Sequence, residues 1–487
     1  MGLELFVLLI YLVLMMLLGI YEYKRTKGVI DFYLAGKKLG VIVVSFSFFA
    51  TYFSTAAFLG GGGFGFVAGF QWSAFLIFFH ILFAIAAWLI IAPPMKRIAD
   101  EHGALTIPEI FGMRFGKLSQ LVAALIIIVF FQFYMVSIYK GAGNLLEVML
   151  GLDYRTAVLL TAVIVMLYTA IGGFRAVVMT DLVQGILVFI GGMMLFVALM
   201  FYLGGPINAI ESLKAAHTVM GSGAKLFELG SVAPPPIMKA GMVIPFILSL
   251  TFAISIAQLA SPQLVIRFVA AKDSRVIAKG AVLTPLIIGI FALCVFSIGP
   301  FGWLIIPQFD DPVKYLKNSD LVVPFIAMKI FPAGLNALIL TAIVAAAMST
   351  INSLVHVIAT SFVRDVLQNA VKLKKIVLPT RLSVFVFSLV PVIFALNPPD
   401  IIVVIVGLSF SVITSAFLIP LLASFYSRTT QLPVVSSMIV AVAVCIIWYL
   451  YFYKVYWIYP VIPGLAASAL TYVIFLRTER AISAAPG

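Results

Sequence analysis

Only 10% of this chain's 487 residues are charged, two are cysteine and four are histidine, and each shortage closes off a class of function. Soluble domains carry about 25% charged residues. A chain that is 63% hydrophobic, with a mean hydropathy of +1.19, has too little polar surface to be one. Cys294 and Cys445 lie inside apolar runs on different predicted helices, which reads them as packing residues with no bearing on redox compartment. His80, His102, His217 and His356 are scattered, no His-Glu-x-x-His is present, and no cysteine pair has ligand spacing, so a zinc site finds no support. Gly60, Gly62 and Gly65 satisfy G-x-G-x-x-G. No strand precedes them and no acid follows at the required distance, so the dinucleotide reading fails. The sequence predicts no enzyme and no organic cofactor.

What is abundant is apolar sequence. Runs cover roughly 3–21, 40–70, 72–92, 119–139, 156–172, 176–202, 243–265, 281–303, 335–362, 379–396, 400–425, 434–453 and 460–476. Thirteen such runs, most near the 20 residues a bilayer demands, predict an all-α polytopic membrane protein. The net charge of +13 would suggest nucleic acid in a soluble chain. Here the cations cluster in alternate loops, at 22–38, 93–118, 173–175, 267–280, 363–381, 426–432 and the tail, so topology explains them better than a nucleic-acid partner. The positive-inside rule then puts the N-terminus outside and the C-terminus in the cytoplasm, in a multi-pass protein of the cell membrane. The first run, with Glu4 near its start and Tyr21-Glu22-Tyr23-Lys24-Arg25 after it, reads as a retained helix rather than a signal peptide.

Two spans are interrupted. The run 40–70 contains Gly60-Gly61-Gly62-Gly63-Phe64-Gly65, and 243–265 is bracketed by Pro245 and Ser261-Pro262. Unwound backbone at membrane depth is tolerated only beside protein or a cavity. If each interrupted span begins a five-helix unit, the two occupy corresponding places in two halves, which points to a transporter site. The segment 345–353 adds a second clue: Ser349, Thr350, Asn352 and Ser353 place four polar side chains within five residues of an apolar run. Helical geometry puts Ala346, Ser349, Thr350 and Ser353 on one face, where carbonyls and hydroxyls suit a hard cation. The alternative is that these hydroxyls bond their own helix or glue it to a neighbour. Asp181, at the start of the run 176–202, is either a cation-coupling or gating carboxylate, or an interfacial residue paired with Arg175 or capping a helix.

Several motifs together match a family. Phe32-Tyr33-Leu34-Ala35-Gly36-Lys37-Lys38-Leu39-Gly40, Ala50-Thr51-Tyr52-Phe53-Ser54, the stretch from Tyr168-Thr169-Ala170-Ile171-Gly172-Gly173 to Gln184, and the 345–353 cluster resemble the sodium:solute symporter family in order and spacing, most of all its sodium/pantothenate branch. The resemblance implies a leucine-transporter-type inverted repeat of five plus five helices, about 40–202 and 243–425, in a single transmembrane domain with 3–21, 434–453 and 460–476 as extra helices. It implies a sodium site at the carbonyls of Ala50 and Phe53 with Ala346, Ser349 and Thr350, and a further sodium position at Asp181, Ser349, Asn352 and Ser353. Tyr52, Ser54 and Ala57 fall at its substrate positions; polarity adds Gln258 and His80, each of which could instead serve packing or helix bridging. No Arg or Lys is expected at mid-membrane in the broken helices. A substrate carboxylate would be met by exposed N–H groups, hydroxyls or the sodium ion itself. The implied activity is sodium-coupled import of a small organic solute, a carboxylate such as pantothenate or else proline or a monocarboxylate. A channel or a non-transporting sensor is the alternative.

Overall fold

A backbone that crosses hydrocarbon must satisfy its own polar groups, and a helix does so within one segment. The computed structural model, which describes residues 2–219, 243–371, 373, 375–426 and 429–484, is built almost wholly of helices; among the described residues the sole β feature is an isolated bridge between Leu39 and Ala271. The Pro234-Pro235-Pro236 loop lies outside the described residues. The membrane helices are α1 (Gly2–Arg25), α2 (Val41–Tyr52), α3 (Gly63–Ala86), α4 (Lys117–Leu150), α5 (Tyr154–Tyr202), α6 (Val243–Ile256), α7 (Pro262–Ala270), α8 (Ser274–Phe296), α9 (Ala333–Ser361), α10 (Val377–Ala395), α11 (Ile402–Tyr426), α12 (Gln431–Ile447) and α13 (Val461–Ala484).

Among the described residues eleven stretches are long and apolar enough to cross a membrane alone, and Val41–Tyr52 and Tyr154–Met166 are shorter apolar helices. Two glycines reconcile these with thirteen crossings. Gly69 (φ 68°, ψ −169°) and Gly173 (φ 66°, ψ −174°) share a conformation open essentially only to glycine. The chain reverses at Gly69: the Trp72 indole N–H donates to the Gly61 carbonyl at 2.7 Å, whereas in a straight helix eleven residues would separate them by roughly 16 Å. Gly173, with the same dihedrals, divides α5 in the same way. Counting α2 with residues 55–69, and α6 with α7, as one crossing each gives the expected all-α fold of thirteen.

The first interruption sits beside the residues that announced it, and the second sits at them. The run Gly60–Gly63 is helical and serves close packing: a Cβ on Gly61 would meet the Phe296 ring at 2.6 Å and one on Gly63 the Ser319 carbonyl at 2.2 Å. The break comes earlier, at Phe53 (φ −92°, ψ 89°). In the second span the helix stops at Leu259, Ser261 is extended, and Pro262 starts α7 at the position where its missing N–H costs nothing. α7 then runs on to Ala270, so Arg267, expected in a cytoplasmic loop, is a fully buried helical residue. The expectation of no cation in the broken helices is thereby corrected. α9 and α11 are the central helices, with 94% and 89% of their apolar windows buried against 28% in α1 and 22% in α13. Both cysteines are free and buried, as packing residues should be.

Candidate functional site

The break in α2 sets up the first cluster. In an unbroken helix the Ala50 carbonyl would accept from the Ser54 N–H and the Thr51 carbonyl from the Thr55 N–H. The turn at Phe53 cancels both bonds, and two hydroxyls from the facing α9 reach the carbonyls instead. Ser349 Oγ lies 2.8 Å from the Ala50 oxygen and 3.1 Å from that of Ala346; Thr350 Oγ1 lies 3.1 Å from the Thr51 oxygen, 3.2 Å from Ala346 and 3.3 Å from Ala50. Five oxygens from two helices therefore converge in a fully buried spot without a charged side chain among them. Ala50, Ala346, Ser349 and Thr350 come together as the sequence implied. Thr51 joins them unannounced, and Phe53 contributes the break itself, its N–H still bonded to Phe49 at 2.9 Å.

One turn back along α2 lies a second cluster around a buried ion pair. Asp181 Oδ2 accepts from the Arg267 guanidinium at 2.9 Å, Ser47 at 2.7 Å, Thr51 at 3.3 Å and Ser353 at 3.4 Å. Arg267 also donates from Nε to Ser47 at 3.0 Å, from NH2 to Ser353 at 2.6 Å, to the Thr51 hydroxyl and to the Gln263 carbonyl, and its guanidinium stands 5.6 Å from the Phe174 ring centroid. Arg175, the partner considered for Asp181, pairs with Glu22 at 2.6 Å. Asn352 is buried one position before Ser353. Sequence reasoning missed Ser47 and Arg267. Their signal was a Ser47/Thr51 pair four residues apart on one helix face, and an arginine with apolar neighbours on both sides in Leu264-Val265-Ile266-Arg267-Phe268-Val269.

Ahead of the first cluster is a cavity with about 370 Å³ of empty space, lined by Tyr52, Ser54, Ala57 and His80 together with Phe53, Ile254, Tyr134, Phe296, Val406 and Phe410. Tyr52 Oη sits 3.1 Å from His80 Nε2 and 3.1 Å from the Ile254 carbonyl, which the break after α6 leaves exposed. His80 Nδ1 lies 2.7 Å from both the Leu76 carbonyl and Ser255 Oγ; a carbonyl can only accept, so Nδ1 carries the proton. Ser54 accepts from the Ala56 N–H at 3.1 Å, opening the helix that resumes after the break. Gln258 stands outside the lining and donates to the His80 carbonyl at 3.1 Å, which makes it a bridge between α3 and the α6–α7 turn.

A second buried ion pair closes the far end. Along the chain from α2 into α3, Ser47 and Thr51 meet the first pair, Tyr52, Phe53, Ser54, Ala56, Ala57 and Gly61 line the cavity, and Gly63 packs on Ser319 beside Asp320. Asp320 accepts from Lys140 Nζ at 2.6 Å and from the Ile402 N–H, at the start of α11, at 3.2 Å; Lys140 also donates to the Asp400 carbonyl at 3.0 Å. The second pair ties α4 to the start of α11, two helices that wall the cavity; the first joins α5 to α7 and holds α2 through Ser47 and Thr51.

This geometry can be set beside known proteins. The sodium/pantothenate symporter of Haemophilus influenzae is 27% identical, over 96% of this chain and 94% of its own length. The high-affinity proline transporter PutP of Bacillus subtilis is 30% identical, over 94% of each. Among solved structures, a Na+-coupled sialic acid symporter in a substrate-bound outward-open state superposes with a TM-score of 0.78 at 21% identity, covering 97% of this chain and 98% of that one. That likeness establishes the leucine-transporter-type helical fold. A model of the sodium:solute symporter family matches residues 32–441, most of the chain, and the protein therefore belongs to the sodium:solute symporter family.

Proposed function

We propose that this chain is a sodium-coupled importer of a small organic carboxylate, working by alternating access around the cavity beside the broken α2. The observation that carries the reading is the convergence of Ser349 and Thr350 with the released carbonyls of Ala50 and Thr51, alongside Ala346. A sodium ion needs oxygen lone pairs without bulk water. Here the hydroxyl protons already point at carbonyls, and rotating them away presents all five oxygens to a cation. In this reading Ala50, Thr51, Ala346, Ser349 and Thr350 are the sodium residues, Phe53 sets the break that frees the carbonyls, Tyr52, Ser54, Ala57 and His80 face the solute, and Gln258 acts through His80.

Among the described residues the cavity wall bears no ionised side chain, so a substrate carboxylate would rest on the N–H groups at the restart of the helix after Ser54 and on the sodium ion. Phe53, Tyr134, Phe296 and Phe410 would cover an apolar body. Pantothenate fits this description and so does proline, and relatives named for each are similar over nearly the whole chain. Five-helix repeats at about 40–202 and 243–425, an N-terminus outside, a cytoplasmic C-terminus and residence in the cell membrane complete the proposal. In the cycle proposed, Lys140–Asp320, tied to the start of α11, is the latch that opens, while Arg267–Asp181 stays formed.

The test is uptake into proteoliposomes of radiolabelled pantothenate, proline and short monocarboxylates, with an inward sodium gradient and with potassium replacing sodium. Accumulation above the external concentration that requires sodium is expected for one of these classes. Flux that only equilibrates would identify a channel, and sodium-independent accumulation would refute sodium coupling.

A further inference from the structure

We infer that Arg267 is a resident cation: its guanidinium takes the position beside Asp181, Thr51 and Ser353 where a second sodium ion would otherwise bind, so the chain binds one sodium ion per cycle. The inference rests on the sodium reading of the Ser349–Thr350 cluster and adds the ion count to it.

Three observations carry it. Asp181 and Arg267 are both fully buried, and the ion pair they form at 2.9 Å is charge-balanced. A sodium ion added there would stand against the guanidinium's own positive charge, with the one carboxylate already neutralised. The hydroxyls around Asp181 also face the guanidinium. Ser47 accepts from Arg267 Nε at 3.0 Å and donates to Asp181 at 2.7 Å, while Ser353 accepts from Arg267 NH2 at 2.6 Å with Asp181 at 3.4 Å. One of the two lone pairs on each hydroxyl is thus taken by the guanidinium, which stands where an ion would have to approach them. The guanidinium, finally, is anchored from behind by the Gln263 carbonyl and the Phe174 ring at 5.6 Å, so it is built into the site rather than resting on it.

The first cluster has none of these features: its five oxygens are neutral, and among the described residues no basic side chain bonds to any of them. Thr51 is shared between the two, its carbonyl facing Thr350 at 3.1 Å and its hydroxyl lying 2.9 Å from Ser353. Asp181 Oδ1 has no hydrogen-bond partner among the described residues. Removing the guanidinium would therefore leave a carboxylate and three hydroxyls, a donor set suited to sodium.

The experiment counts sodium. Equilibrium binding of radioactive sodium to the purified full-length chain in lipid nanodiscs, without solute, should saturate at one ion per chain. Arg267→Ala should saturate at two, Arg267→Lys at one, and Arg267→Ala with Asp181→Asn at one again. The melting midpoint of Arg267→Ala should be low in potassium and rise with sodium more steeply than that of the unaltered chain, because an ion that binds only the folded state stabilises it. Two ions bound by the unaltered chain would overturn the inference, as would a folded Arg267→Ala protein that still binds one. Should Arg267→Ala fail to fold in either salt, Ser349→Ala and Asp181→Asn decide: loss of the sole ion in the first supports the assignment, and loss only in the second overturns it. A count of zero in the unaltered chain would instead strike down the sodium reading itself.

Discussion

Replacing Ser349 by alanine removes one of the five oxygens gathered at the α2 break and nothing else from that cluster. The hydroxyl lies 2.8 Å from the Ala50 carbonyl and is fully buried, so no water is at hand to take its place. Hydrogen-bond-type interactions with a charged group contribute about 1.5–3 kcal/mol, and about 1.4 kcal/mol is a factor of ten. Ser349→Ala should therefore raise the half-saturating sodium concentration by roughly 10- to 100-fold. Thr350→Ala should do the same, since its hydroxyl meets the carbonyls of Ala50, Thr51 and Ala346. Thr350→Ser keeps the oxygen and loses one methyl group, about 0.8 kcal/mol of burial, so it should lower stability slightly and leave sodium affinity near that of the parent. The double alanine variant should cost less than the sum, because the two hydroxyls share ligands. Sodium titrations of binding or uptake on protein matched for amount in the membrane read all four. Parental sodium affinity in both single alanine variants would show that these hydroxyls only hold α9 against α2.

Three further outcomes are expected. Asp320→Ala strands the buried Lys140 ammonium and unties the Ile402 N–H, and losing one partner of a buried pair costs about 3–5 kcal/mol; a lower melting midpoint with faster labelling of a cysteine placed in the cavity should result, and unchanged labelling would refute the latch. Tyr52→Phe deletes the hydroxyl between His80 Nε2 and the Ile254 carbonyl, so solute half-saturation should rise about tenfold, one hydrogen bond, while sodium affinity measured without solute stays put; the reverse pattern would place Tyr52 in the ion site. Gly173→Ala forces a side chain into a glycine-only conformation, at about 1–3 kcal/mol, and sets its Cβ 2.5 Å from the Phe32 ring, so the yield of folded protein should fall sharply, and parental yield and melting would refute the strained reversal.

Much of the architecture could be read from hydropathy because a bilayer enforces one rule on every crossing: about 20 apolar residues with internally satisfied backbone. Helix breaks obey a subtler rule. Gly60–Gly65 looked like an unwinding because glycine is a weak helix former, yet tertiary packing uses the same residues to let α3 approach Phe296 and Ser319. The actual break at Phe53 carries no glycine or proline and was legible only through the Ala50–Ser54 motif. Arg267 was hidden for a different reason. A loop boundary drawn where apolar residues first thin out ends α7 too early, and the arginine stays in the interior because Asp181, 86 positions away in the chain, stands opposite it. Pairing across that separation leaves as its local trace only the apolar residues on both sides of the arginine.

The ion count has an energetic consequence that separates the two substrate readings. The membrane potential contributes about 2.3 kcal/mol per elementary charge per 100 mV. One sodium ion carried with a monoanion such as pantothenate moves no net charge, so the potential would do no work and the solute gradient would be limited to the sodium gradient. One sodium ion carried with zwitterionic proline moves a single positive charge inward and gains the full amount. With Arg267 supplying the second cation from within the protein, uptake of a monoanion at fixed sodium gradient should not respond to an inside-negative potassium-diffusion potential, and its sodium dependence should have a Hill coefficient near one. A second transported sodium ion would make the same cycle electrogenic, and the Hill coefficient would rise towards two. Potential-driven acceleration of monoanion uptake would therefore show that Asp181 receives an ion from solution despite its arginine, and the one-sodium cycle would have to be abandoned.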